Sequence, residues 1–287
     1  MADTPGTDTP ADSGRYARQV RYPGIGAAGQ ERLRTAVVTV VGCGALGSAS
    51  VNMLARGGIG EIRIIDRDVV ELTNLQRQVL FEERDAEAGV PKAVAAAAAV
   101  ARINSTVRAL PIVADLTPVN ILELLAGSSV VIDGTDNFET RLLLNDACMQ
   151  MGLPWVYGGV AGSTGMAMAI VPRRTACLRC LYPNAPSVTR LETSETAGIL
   201  AAAVATVAAF QWTQAVKLLV GGESDTAGRL LTVDVWSCDY EVLHEIPRQA
   251  ACPCCVAGAY EYLDARAGSA ADPAEARSPV ERTGGTG

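Results

Sequence analysis

Val37-Val38-Thr39-Val40-Val41-Gly42-Cys43-Gly44-Ala45-Leu46-Gly47 reads as a strand of β-branched residues that runs into a Gly-x-Gly-x-x-Gly turn and then a helix. Glycine lets such a turn close and lets backbone N–H groups approach a phosphate at the positive end of the helix. A second apolar run, 62–65, ends at Asp66, 19 residues beyond Gly47, where a carboxylate can accept hydrogen bonds from a ribose. Strand, loop, helix, strand and acid in this order predict nucleotide binding through Gly42, Gly44, Gly47 and Asp66. The motif alone does not separate NAD from ATP.

Outward from the loop, apolar runs at 36–41, 62–65, 107–113 and 130–132 alternate with helical stretches at 46–56, 92–103, 118–125 and 138–151. Short strands alternating with helices predict an α/β fold: a Rossmann-like, doubly wound, mostly parallel sheet with right-handed crossovers. The pattern then changes. Strand-like stretches at 155–158 and 166–171 are expected to flank a glycine-rich turn of Gly158, Gly159, Gly162 and Gly165. A long Ala-rich helix and two closely spaced strands, 230–236 and 240–246, predict antiparallel additions to the sheet. Residues 1–14 read as a disordered leader and 258–287 as a disordered tail. Between them lies one domain, 15–257, with a nucleotide-binding half to about residue 160 and a second half beyond it.

The 287 residues carry a formal net charge of -7, which argues against a nucleic-acid partner, because phosphate binding over a broad surface needs a positive excess. Basic charge is almost all arginine, and the only lysines are Lys92 and Lys217. The most apolar run, 197–220, is interrupted by Gln211, Gln214 and Lys217, so it reads as a core helix and not a membrane span. The N-terminus lacks a charged-then-apolar signal pattern, and the expected location is the cytoplasm.

Loops at the carboxyl ends of the strands in a doubly wound sheet converge on the ligand crevice. Those loops hold Asp66-x-Asp68, Asn74-Leu75-Gln76-Arg77-Gln78, Pro91-Lys92 and Gly134-Thr135-Asp136-Asn137. An arginine and a lysine complement a triphosphate, and a carboxylate can hold Mg²⁺. An NAD-dependent oxidoreductase accounts for the glycine loop and Asp66 but leaves Arg77, Lys92 and Asp136 without a task.

The ordered set resembles the ThiF/MoeB/HesA family, bacterial relatives of ubiquitin-activating enzymes, and within it the MoeB-like sulfur-carrier activators. The resemblance runs from Arg15 to about Cys255. It opens on Arg15-Tyr16-x-Arg18-Gln19, passes through the glycine loop, the Asn74–Gln78 string, Pro91-Lys92 and Thr135-Asp136-Asn137-x-x-x-Arg141, and closes on two Cys-x-x-Cys pairs. It implies an adenylyltransferase that uses MgATP to activate the C-terminal glycine carboxylate of a ubiquitin-like sulfur-carrier protein ending in Gly-Gly, with release of pyrophosphate, in preparation for a thiocarboxylate. Carried over position by position, Asp66 binds the ribose, Asn74, Arg77 and Lys92 contact the phosphates, and Asp136 organises Mg²⁺. Arg18 then reaches into the partner subunit's site, which implies a homodimer. A separate sulfur donor is expected, since no rhodanese-like domain is visible after Cys255. Adenylation of a different peptide or carrier stays open.

Of the eight cysteines, Cys177-x-x-Cys180 and Cys252-x-x-Cys255 have the spacing of a closed four-thiolate Zn²⁺ site that clips the late chain onto the middle. Cys254 is ambiguous, and Cys43, Cys148 and Cys238 read as buried small hydrophobes. Many family members carry a cysteine just before a Glu-Ala-Gly-like segment. Here Ser194 stands at that place, so activation is expected without a covalent enzyme–carrier thioester.

Overall fold

The computed structural model describes residues 14–183, 198–221, 227–244 and 246–264. Within them the strands are β1 (Val37–Val41), β2 (Glu61–Ile65), β3 (Arg108–Ile112), β4 (Val130–Asp133), β5 (Trp155–Ala161), β6 (Thr164–Ile170), β7 (Leu230–Asp234) and β8 (Asp239–Leu243). The helices are α1 (Ala17–Val20), α2 (Gly26–Thr35), α3 (Ala45–Gly57), α4 (Glu83–Glu87), α5 (Lys92–Ile103), α6 (Ile121–Leu125), α7 (Phe138–Met151), α8 (Leu178–Leu181), α9 (Ala201–Val220) and α10 (Glu261–Asp264). All eight strands form one sheet in the order β3-β2-β1-β4-β5-β6-β7-β8. β1 to β5 pair in parallel, and β6, β7 and β8 add antiparallel. The expected fold class is therefore the one observed.

Side-chain alternation along the parallel strands builds two cores. Val38, Val40, Ile62, Ile64, Val130 and Ile132 pack with α3, α5 and α9 on one face. Val41, Ile65, Val131 and Trp155 pack with α6, α7 and α8 on the other. Burial on both faces is why these strands read as continuous apolar runs.

α9 is long and apolar enough to cross a membrane by composition. In the fold it packs against α3, β5 and β6, and it buries Gln211 and Gln214 among them. Gln211 donates from Nε2 to the carbonyls of Asp133 and Val156, at 2.7 and 3.2 Å, so this polar residue ties the helix to the sheet.

Two expectations fail here. The glycine-rich turn is not one: Gly158 and Gly159 lie inside β5 and Gly165 inside β6, with Gly162 at the turn itself. A side chain on Gly158 would collide with Gln211 and one on Gly165 with Val207, so these glycines admit α9 close against the strands. The tail does not become irregular at residue 258 either. α10 packs on α7, with Leu263 buried and the Tyr262 N–H donating to Asp146 Oδ2 at 3.0 Å. Polar, small residues hid a short strap whose anchors are two tyrosines and a leucine. The leader as far as residue 13, most of the tail and the segment around Ser194 lie outside the described residues.

Candidate functional site

The strand order reverses between β1 and β4, so the loops that follow them diverge and leave a crevice at their carboxyl ends. Gly42 follows β1 with φ of +81°, and a Cβ there would sit 2.7 Å from the Gly134 carbonyl oxygen. Gly47 and Gly134 in turn leave no room for a side chain beside the Gly42 carbonyl. Gly44, which caps α3, faces open space except for the Gln78 amide 3.9 Å away. The three motif glycines thus fold the loop tightly onto the β4 loop and leave the N-terminus of a 13-residue helix uncovered. A helix N-terminus left open in this way can receive an anion.

Asp66, 9% exposed, ends β2 beside this loop. Its Oδ2 accepts the Cys43 N–H at 2.6 Å and its Oδ1 the Asp68 N–H at 2.8 Å. Each carboxylate oxygen keeps a second lone pair for a hydroxyl donor. Burial pushes the Asp66 pKa up, opposed by those two N–H bonds and by the charge of Lys92. Lys92 opens α5 with its stem buried, and its Nζ lies 3.0 Å from Asp68 Oδ2. Asn74 spends its carboxamide oxygen on the Glu71 N–H at 3.0 Å, which leaves Nδ2 as the group it can offer a phosphate. Arg77 is half-buried and donates from Nη1 to the Thr73 carbonyl at 3.0 Å.

Asp136 stands exposed in the loop after β4. What holds that loop is a pair not foreseen from the sequence. Asp133, fully buried, accepts the Arg141 Nε–H at 3.1 Å and the Thr135 N–H and hydroxyl at 2.9 and 2.7 Å. Arg141 donates from Nη2 to the Thr135 carbonyl at 2.6 Å and lies 5.6 Å above the Tyr157 ring. Desolvation works against the Arg141 charge, but Asp133, together with Tyr157 and Asp136, outweighs it and raises its pKa. Asn137 then caps α7 by accepting the Thr140 N–H at 2.8 Å. The loop carrying Asp136 is thus fixed at both ends. Arg141→Lys keeps the charge but cannot hold the Asp133 carboxylate and the Thr135 carbonyl together. Its expected cost is about 2 kcal/mol, the scale of a charge-assisted hydrogen bond. Denaturant unfolding checks it.

Gln78 was also missed as a candidate in its own right. It is 3% exposed, its Nε2 is the atom that faces Gly44, and its Oε1 is buried without a hydrogen-bond partner among the described residues. Only its neighbours in the Asn74–Gln78 string pointed to it. Arg18 is the predicted residue that the fold keeps apart from the others. Exposed on α1, it belongs to a helix pinned by Gln19 Nε2 to the Gly57 carbonyl at 3.0 Å, at the far end of α3 from the glycine loop. A cleft of about 460 Å³ between Tyr16, Arg34, Val37, Gly60 and Glu61 lies at that same far pole, where the strands begin, so it is not the crevice described above.

The profile of the ThiF family matches residues 16–254, the greater part of the chain. The chain belongs to the ThiF family. The member of this family described here is 43% identical over 252 residues to the sulfur carrier protein ThiS adenylyltransferase of Bacillus subtilis, covering 88% of its own length and 74% of that protein's. It is 39% identical to the SAMP-activating enzyme E1 of Haloferax volcanii, with 87% and 91% covered. It is 36% identical to the sulfur carrier protein adenylyltransferase of Thermus thermophilus, with 84% and 90% covered. Its fold matches a crystal structure of E. coli MccB with ATP at a TM-score of 0.74 and 23% identity, over 85% of this chain and 75% of that one.

In this ThiF-family enzyme the four sulfurs of Cys177, Cys180, Cys252 and Cys255 lie within 4.8 Å of one another. Cys177 and Cys252 are 3.7 Å apart, and Cys180 and Cys255 3.5 Å. A tetrahedral zinc with Zn–S bonds of about 2.3 Å sets its sulfurs about 3.8 Å apart, so the donor set fits a closed structural site. Cys254 is not of that set. It is buried and accepts from Asn145 Nδ2 at 3.2 Å. Asn145 also accepts the Leu178 N–H at 2.9 Å, which joins α7 to both knuckles. Cys43 and Cys148 are buried as expected. Cys238 is not: it is exposed in the β7–β8 turn with φ of +63°.

Proposed function

We propose that this protein uses ATP to adenylate the C-terminal glycine carboxylate of a ubiquitin-like sulfur-carrier protein ending in Gly-Gly. The observation that carries the reading is the junction of an uncovered helix N-terminus with Asp66 and Lys92 at the β1–β4 switch point. The names of its adenylyltransferase relatives support it. The carboxylate oxygen bonds to the α-phosphorus as the bridging P–O bond breaks, and pyrophosphate leaves with the electron pair. The nucleophile is already ionised at neutral pH, so no general base is required. Backbone N–H groups at Gly42–Gly47 hold phosphate oxygens, Asp66 holds the ribose, and Lys92, Arg77 and Asn74 meet the charge that grows on the departing phosphates. The residues fit Mg²⁺ in the usual way, with one exposed carboxylate, Asp136, completed by substrate phosphates and water. Held there by Asp136, the ion would neutralise charge on the phosphate oxygens.

Arg18 completes the site from a second copy in a homodimer. What supports this is its distance from its own glycine loop: the 13 residues of α3 separate them, about 20 Å of helix. Sulfide-level sulfur from a separate donor then bonds to the acyl carbon as the C–O bond to AMP breaks and AMP leaves, giving the thiocarboxylate, in the cytoplasm and without an enzyme thioester. Carrier-dependent ATP–pyrophosphate exchange tests the reaction. Exchange with a Gly-Gly carrier is expected, while exchange with a short peptide alone, or NADH binding without exchange, overturns it. Mixing Arg18→Ala and Lys92→Ala chains, each inactive alone, is expected to restore about a quarter of wild-type exchange, because half the dimers then contain one intact site. No recovery refutes the shared site.

A further inference from the structure

Asp68 is a carboxylate beside a site built for anions, and the reading above gives it no task. Its backbone is fixed from both sides: its N–H donates to Asp66 Oδ1 at 2.8 Å, and its carbonyl accepts the Lys92 N–H at 2.8 Å. Val70 N–H bonds to the Val90 carbonyl at 2.9 Å and Val69 bridges to Pro91, so residues 66–70 are stitched to 90–92. The side chains then meet. Lys92 Nζ sits 3.0 Å from Asp68 Oδ2, with the lysine side chain 10% exposed and the aspartate 56%. The ammonium emerges from a buried stem, and the group that meets it at the surface is this carboxylate. The Lys92 charge acts on both Asp66 and Cys43, and the Asp68 charge acts on Asp66, so the pair lies at the glycine loop. Arg67 Nε, 3.7 Å from Asp68 Oδ1, is the other cation on the pair.

A carboxylate here repels phosphates and weakens ATP binding, so affinity for the ground state does not explain it. Orientation does. We propose that Asp68 is a positioning residue for Lys92, holding its ammonium by one N–H and aiming the other two at the phosphate oxygens. This rests on the adenylation reading. Asp68 lowers ground-state affinity and raises the rate, the balance that favours turnover over tight binding.

Asp68→Asn keeps both backbone bonds and the side-chain shape while removing the charge. With two lysines in the chain, amine acylation read by mass spectrometry reports Lys92 against Lys217 as an internal standard. The variant is expected to raise the Lys92:Lys217 labelling ratio about two- to fivefold, the scale of a half-exposed ion pair. In carrier-dependent exchange its kcat is expected to fall about tenfold while KM for ATP stays or decreases, as a displaced catalytic group predicts. Asp68→Glu restores part of the rate. An unchanged labelling ratio, an unchanged kcat, or a kcat loss matched by a raised KM and a lowered Tm each overturns the proposal. MgATP protection of Lys92 from acylation in the wild type separates the two levels. Protection with no exchange for any carrier overturns the adenylation reading while the labelling ratio still judges the pair; absence of protection overturns the role of Lys92 and Asp68 alike.

Discussion

Asp136→Ala is expected to lower carrier-dependent ATP–pyrophosphate exchange by about a hundredfold or more, the scale of losing one preorganised electrostatic partner of a transition state. The same change should leave the unfolding midpoint in place. Asp136 is exposed, and the loop beneath it is held by hydrogen bonds among Asp133, Thr135 and Arg141 that do not include the Asp136 side chain, whose charge adds only a minor attraction to Arg141. Exposed substitutions away from such features stay within about 0.5 kcal/mol of the parent. The separation between lost rate and kept stability is what makes the test sharp. Asp136→Asn, which keeps the shape and removes the charge, should be nearly as slow and should respond less to added Mg²⁺. Full exchange by either variant ends the assignment of Asp136 to the metal.

The parallel half of this fold was legible because its inner strands β1 and β4 are buried on both faces and announce themselves as apolar runs bounded by loops, while β3 lies half-exposed at the sheet edge. Helices Lys92–Ile103 and Phe138–Met151 were predicted to the residue, since Pro91 and Asn137 mark their starts. Glycines misled where tertiary packing decided their meaning: Gly158 and Gly165 look like a turn until α9 is laid against them. The same limit applied to the site. Gly42, Gly44, Gly47 and Asp66 stand in a local motif, and their positions follow from strand, turn and helix alone. Asp133 and Arg141 are held together by the fold, eight residues apart across a loop and a helix turn, and an acid closing an apolar run gives no sign that it is buried and paired. Asp68 showed its place only when the Lys92 side chain was seen to end on it.

Cys177→Ser is expected to abolish stoichiometric zinc and to lower the melting temperature by about 8–16 °C. Loss of a structural metal belongs with the large single effects, about 4 kcal/mol, and a domain of 150–250 residues loses about 2–4 °C per kcal/mol. The size follows from what the site joins. One Cys-x-x-Cys pair opens α8 after β6, and the other lies beyond β8, so the ion clips two segments that share few other anchors. Among those that remain are Gln249 Nε2 donating to the Cys180 carbonyl at 2.8 Å, Arg248 Nη1 donating to the Arg173 carbonyl at 3.1 Å and the Arg179–Glu261 pair at 3.1 Å. Without the cation, burial pushes the Cys180 thiol up, so that ligand favours its proton when no metal replaces it. Cys254→Ser is the control that decides the ligand set. Its hydroxyl can still accept from Asn145 Nδ2, so that variant should keep its zinc and most of its melting temperature. Cys255→Ser should lose both. If Cys254→Ser lost the metal and Cys255→Ser kept it, the knuckle would be Cys252 with Cys254, and the tetrahedron drawn from the 3.5 Å approach of Cys180 to Cys255 would be wrong.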